Sequence, residues 1–145
     1  MPGPTEELNG GCQCGAVRYA ASDPFGPHYC HCRMCQRASG NAFAAFVGFH
    51  ADRFRFTRGI AKLYRSSGFA VRGFCADCGT PLTFQYDREP HRIGLSIGSL
   101  DHPERVAPAI HWGVESMLPW LRFDDGLPRK RTEDDPSFLA AKTGG

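Results

Sequence analysis

YCHCRMCQ, residues 29–36, places three cysteines within eight residues. Cys30 and Cys32 share one side of an extended chain, because alternate residues of a strand point the same way. Cys35 lies one helical turn beyond Cys32, where residues three apart are neighbours. Three sulfurs can therefore converge on one ion without help from distant chain. His31, between the first two, is expected to point the opposite way. A closed tetrahedral zinc site takes four ligands, whereas a catalytic one keeps a position open. The stretch offers three, so its fourth position decides between a scaffold and a reactive centre.

Working outward, four more cysteines flank this group: Cys12 and Cys14 before it, Cys75 and Cys78 after it. Read as an extended segment, Gly11–Ala20 puts the sulfurs of Cys12 and Cys14 on one side. Cys75-Ala76-Asp77-Cys78 has the spacing of a zinc-ribbon turn. Gly15 and Gly79 follow each pair and suit backbone N–H groups turned toward thiolates. Seven cysteines thus divide into a four-sulfur set that closes a structural site and a three-sulfur set. The latter either stays open or takes a ligand such as His50, His91 or His111.

Bulk composition agrees with metal rather than disulfides. The chain of 145 residues suffices for one domain and one core. It opens without a basic-then-apolar leader and holds no apolar run near the roughly 20 residues that span a bilayer. A cytoplasmic, reducing location is expected, with no membrane partner, and there thiols stay free. The formal charge of +2 counts cysteines as neutral thiols. Seven thiolates subtract seven charges and two Zn²⁺ ions return four, so the +2 becomes −1. Apparent basicity is then no argument for a nucleic-acid partner. Its one basic cluster, Arg129-Lys130-Arg131, is followed by acids.

Seventeen glycines and eleven prolines predict many turns and short strands. Strands are expected over 11–20, 44–50, 53–57, 62–66, 81–86 and 93–97. A loop is expected over 23–27, a short helix over 32–39 ended by Gly40, and another over 136–141. Phe43, Phe46, Phe49, Phe54, Phe56, Phe69, Phe74 and Phe84 are expected to build the core, with Trp112 and Trp120 packed on the sheets. The fold class is mainly β with one short helix at the middle cysteines.

GGCQCGAVRY, CHCRMCQRASGNAFAAFV and FCADCGTPLTF, in this order, resemble the glutathione-dependent formaldehyde-activating enzyme family, also called the centromere-protein-V-like family. SIGSLDHPE, IHW and PWLRFDDGLP resemble its ending. The resemblance runs from Gly10 to Pro128. It implies a β-tent of small antiparallel sheets around zinc. A zinc-binding domain is thus expected over 10–128, with a polar, flexible lead-in over 1–9 and a charged tail over 129–145 read from composition. It implies that Cys12, Cys14, Cys75 and Cys78 hold a structural zinc, and Cys30, Cys32 and Cys35 a second, open one. The implied activity is condensation of glutathione with formaldehyde, a carbon–sulfur lyase reaction; its partners are a small thiol and an aldehyde. For that chemistry the acid–base candidates are His31, His50 and His111. Arg33, Arg37, Ser39 and Asn41 are the expected glutathione contacts, since its carboxylates call for guanidinium and hydroxyl or amide donors. The competing reading is a zinc-stabilised β-tent that binds or chaperones a protein without catalysis.

Overall fold

The alternation of AAFVGFH at residues 44–50 is of a special kind, apolar at nearly every position. Such a run marks a strand buried on both faces. The computed structural model describes residues 1–143 and places this strand, β4 (Ala44–His50), inside a seven-stranded sheet. Val47 and Phe49 point into the main core, while Ala44 and Phe46 pack against Cys32 and Cys35 on the other face. One strand therefore separates the hydrophobic core from the middle cysteines.

The remaining elements follow from short apolar segments cut by glycine and proline. They are β1 (Glu7–Gly11), β2 (Arg18–Ser22), β3 (Phe25–Cys30), α1 (Arg33–Ser39), β5 (Phe54–Arg58), β6 (Lys62–Ser67), β7 (Ala70–Phe74), β8 (Pro81–Tyr86), β9 (Arg92–Ser96), β10 (His111–Trp112) and α2 (Pro136–Thr143). The large sheet runs β10-β3-β4-β9-β8-β7-β6, and β1-β2-β5 form a second sheet. All neighbours are antiparallel except β10 and β3. The expected mainly β class is what the chain adopts.

The core draws on both sheets through Leu8, Tyr19, Val47, Phe49, Leu82 and Leu95. Tyr19 is wholly buried, and its hydroxyl meets Ser99 Oγ at 2.6 Å, so the one polar atom of this large side chain is satisfied.

Four expectations need correction. Residues 11–20 are not one strand: β1 ends at Gly11 and β2 starts at Arg18, with a tight turn carrying both cysteines between them. The small residues that suggested a strand are those the turn requires. Residues 23–27 are only partly loop, because β3 already begins at Phe25. Pro27 is tolerated there because the pairing with β4 shifts register between Phe25 and His28. The phenylalanine core is mostly aliphatic instead. Of the eight phenylalanines, only Phe46 and Phe49 are buried, and Phe54 and Phe56 pack on the core from its side. Trp120 is 67% exposed rather than packed on a sheet. β1 starts at Glu7, α2 lies within 129–145, and the last two residues of that segment are outside the described ones.

Leu82 is fully buried on β8 within this core. Leu82→Ala is expected to lower the unfolding free energy by about 2–5 kcal/mol, read from urea denaturation of the metal-loaded protein.

Candidate metal centres and the adjoining cavity

Two hairpin turns from different sheets meet at the outer four cysteines. They are wired alike. Cys12 N–H donates to the Val17 carbonyl at 3.0 Å, and Cys75 N–H donates to the Thr80 carbonyl at 3.0 Å. Gly15 and Gly79 follow each pair at φ +82° and +83°, a conformation that glycine adopts without steric cost. Their N–H groups donate back to Cys12 and Cys75 carbonyls at 3.2 and 2.8 Å. Gln13 N–H donates to Thr80 Oγ1 at 3.0 Å, joining the two turns directly. The extended-chain argument for Cys12 and Cys14 is thus replaced by a turn, but the convergence is the same.

The sulfur geometry tests whether an ion fits. Four sulfurs at 2.3 Å from a tetrahedral zinc lie about 3.8 Å apart. Cys12 and Cys14 Sγ are 3.6 Å apart, Cys14 and Cys75 Sγ 3.8 Å, and all four lie within 4.8 Å of one another. These separations are far beyond the roughly 2.05 Å of a disulfide, and all seven cysteines are free. Hydrogen bonds from Thr80, its hydroxyl first, pull Cys78 down to about 5. The four-sulfur set could hold a metal ion.

The middle cluster is built by a strand end and a helix start. Cys30 closes β3. Cys32 is the N-cap of α1, its Sγ accepting the Cys35 N–H at 3.3 Å, as a capping side chain does. Helix α1 ends at Gly40 as expected. Cys30 and Cys32 Sγ are 3.4 Å apart, and the three sulfurs lie within 4.8 Å of one another. Hydrogen bonds from Cys30 and then Cys35 push the Cys32 thiol down to about 3, while Cys30 is driven well up. Three sulfurs sharing an anionic charge form a set that a soft cation suits. Among the described residues, no His, Cys, Asp or Glu joins them as a fourth ligand. That includes His50, His91 and His111.

The three sulfurs line a cavity of about 760 Å³, within the roughly 300–1,000 Å³ of small-molecule sites. Phe46, Phe84 and Trp112 supply apolar wall; His28, Arg37, Arg72, Tyr86 and Arg92 supply polar groups. His28 donates Nδ1–H to the Gly26 carbonyl at 2.8 Å, which leaves Nε2 unprotonated, and burial holds its pKa down. Burial keeps Tyr86 a phenol, its pKa raised, with the charges of Asp135 and the three cysteines adding to the effect.

His31 does point away from the cavity. It is fully buried with His111 behind the metal loop. Asp125 Oδ2 accepts from His111 Nε2–H at 2.8 Å, so His111 Nδ1 is the acceptor for His31 Nε2–H at 2.8 Å. His31 Nδ1 then carries a lone pair with no partner. Burial first, then the neighbouring His111, lowers the His31 pKa to about 4. Stacking on Tyr29 and edge contacts to Phe123 hold His111 in place. Gly113, just after β10, has φ +71°, and a Cβ there would stand 2.8 Å from Cys32 N. The loop carrying the cluster is therefore seated against β10 at van der Waals limit.

Of the three histidine candidates, none lines this cavity: His31 and His111 lie behind the cluster, and His50 is exposed beside Phe25. Arg37 lines it. Arg33 instead bonds Gln36, Ser39 donates to the Cys35 carbonyl at 2.7 Å, and Asn41 accepts the Ala42 N–H at 2.7 Å. Ser39 and Asn41 open onto a separate groove beside Cys12. Sequence reasoning passed over His28, although it shares the Cys30 side of β3 by simple alternation. Arg72 and Tyr86 carried no comparable signal, since strand register brings them in.

The model for the glutathione-dependent formaldehyde-activating enzyme family matches residues 7–116. The chain belongs to that family. A relative described as an uncharacterized lyase of Schizosaccharomyces pombe is 35% identical over 82 residues, 55% of this chain. The match spans 58% of that relative's length. A solved structure of a Rhodobacter sphaeroides protein superposes with a TM-score of 0.53 at 21% identity, covering 84% of this chain and 98% of the other. That likeness concerns the fold. In this family member no helix among the described residues is long and apolar enough to cross a membrane.

Two predictions follow from the centres. Zinc-loaded wild type should carry two ions per chain by elemental analysis. Cys30→Ser should stay folded with one, whereas Cys75→Ser should unfold at markedly lower urea. A Cys30→Ser chain without tertiary structure would refute this division. The second concerns pH. The folded chain keeps His31 neutral down to about 4, while the unfolded chain protonates it near its ordinary 6.5. Between these values the unfolded state binds the extra proton, so the stabilisation present above pH 6.5 is lost as pH falls toward 4. His31→Gln removes this term. The difference in urea unfolding free energy, wild type minus His31→Gln, should therefore shrink over that window.

Proposed function

We propose that this chain is a zinc-dependent enzyme of carbon–sulfur lyase type. It joins a thiol, with glutathione as co-substrate, to formaldehyde or a related small electrophile. One observation carries the reading: Cys30, Cys32 and Cys35 lie at the wall of a ligand-sized cavity with no fourth protein ligand among the described residues, whereas the outer four cysteines complete their own set.

A zinc ion held by the three sulfurs would lower the pKa of an arriving thiol below its usual 8.5 while leaving the sulfur nucleophilic. The chain's own groups account for the rest. Phe46, Phe84 and Trp112 exclude water around the small carbonyl. The new bond joins thiol sulfur to the carbonyl carbon, and the C=O π bond becomes the C–O⁻ of an alkoxide. The proton that leaves the thiol ends on that oxygen, so no oxidant or reductant is required. On this reading Tyr86, kept neutral by burial and lining the cavity, donates its O–H to the developing charge. His28 Nε2 is the acceptor nitrogen on the same wall. Arg37 and Arg92 offer guanidinium groups to the two carboxylates of glutathione. Because the three sulfurs and these polar groups line one cavity, this enzymatic reading is favoured over a non-catalytic binding module.

Exchange between free formaldehyde and S-(hydroxymethyl)glutathione is measurable by NMR magnetisation transfer. Zinc-loaded protein should accelerate it, and Cys32→Ser should abolish the acceleration. Tyr86→Phe should lower the rate by roughly 10²–10³ without changing zinc content. An exchange rate equal to the uncatalysed one would refute the reaction.

A further inference from the structure

Arg72 is a buried cation without a carboxylate. It is 8% exposed on β7, and among the described residues no Asp or Glu pairs with it. Its guanidinium carbon lies 4.8 Å from the Phe84 ring centre and 6.0 Å from that of Phe46. Cross-strand pairing with Phe84 on β8 fixes this stacking. Nη2 donates to Cys35 Sγ at 3.7 Å, and Nε is buried with no partner. A charge taken out of water and left uncompensated is strongly destabilising, so buried charges are paired. The sulfur cluster is the anion that Arg72 faces.

We propose that Arg72 is the charge partner of the three-sulfur site, selecting an anionic thiolate over a neutral molecule as the outside ligand. The inference rests on the thiol reading above. Three thiolates around a divalent ion leave one net negative charge. A fourth thiolate raises that to two, in a cavity walled by aromatic rings that screen poorly. Arg72 cancels one of these charges and donates a charge-assisted hydrogen bond to Cys35, drawing electron density from the donor set. A neutral ligand such as imidazole adds no charge and gains little from the guanidinium. Arg72 is therefore a positioning and specificity-determining residue that acts through Cys35. Its Nε–H is buried without a partner, so among the described residues the sulfur cluster is the one anion its guanidinium meets.

The full chain loaded with Co²⁺ gives a direct readout, because the visible bands of a sulfur-bound cobalt change when the fourth ligand changes. Glutathione and imidazole are titrated separately into wild type, Arg72→Met and Arg72→Lys. Arg72→Met should weaken glutathione roughly tenfold or more, the scale of one hydrogen bond to a charged group, while imidazole shifts by less than about threefold. Arg72→Lys, which keeps the charge, should fall between. Should Arg72→Met fail to fold, Arg72→Gln carries the same expectation. Equal affinities for glutathione in variant and wild type would overturn the proposal. So would equal losses for both ligands, which would mark Arg72 as packing only. Either outcome leaves the thiol reading standing, whereas wild type that binds imidazole but not glutathione refutes both.

Discussion

The structure depends on four sulfurs that must meet at one point although they come from turns in two different sheets. The β1–β2 turn and the β7–β8 turn lie some sixty residues apart in the chain, so joining them closes a long loop and costs chain entropy. A metal ion held there would return that cost in one cooperative step, because it would bind the folded arrangement and not the open chain. Both turns present their sulfurs through the same backbone wiring, each stabilised by a glycine and by N–H groups directed at carbonyl or sulfur. The Gln13–Thr80 hydrogen bond and the Tyr19–Ser99 contact continue the join inward from the clasp. The smaller sheet is held besides by its apolar face, by the Asp101 N–H donated to the Asn9 carbonyl at 2.9 Å and by the Arg18–Asp101 ion pair.

With the sheets fixed, the second cluster gains what its sequence lacks. Cys30, Cys32 and Cys35 assemble locally from strand end, N-cap and first helical turn, and they need no distant partner to converge. What distant chain supplies is the surrounding wall. β4 shields the sulfurs from the core, β7 and β8 bring Arg72, Phe84 and Tyr86, and β10 backs the loop through Gly113. The sulfurs thereby face a cavity on one side and packed protein on the other, an arrangement suited to a small guest.

Polar groups near the cluster are sorted by this layering. His31 and His111, paired with each other and anchored by Asp125, form a hydrogen-bonded strut behind the metal loop. Burial keeps the His31 imidazole neutral, and the pair gives Cys30 and Cys32 a rigid seat. Arg72, also buried, has sulfur rather than carboxylate as its counterpart. Exposed ion pairs such as Arg55–Glu7 and Arg65–Asp87 stand apart from the site and contribute little by comparison.

Cysteine spacing alone determined the division into four and three sulfurs, because metal-ligand geometry is a local property of turns and helix starts. The same holds for α1 with its Gly40 stop, for β4, and for the direction of His31, all set by periodicities of two and three to four residues. The family resemblance was likewise carried by contiguous motifs. Tertiary structure decided which phenylalanines form core and which line the cavity, since a side chain's parity says only that it faces one side, not what lies there. It decided that Arg72 and Tyr86 belong to the site while Arg33, Ser39 and Asn41 turn elsewhere. Those assignments depend on strand register and on which sheet a turn closes against, and neither is encoded within a few residues of the side chain concerned.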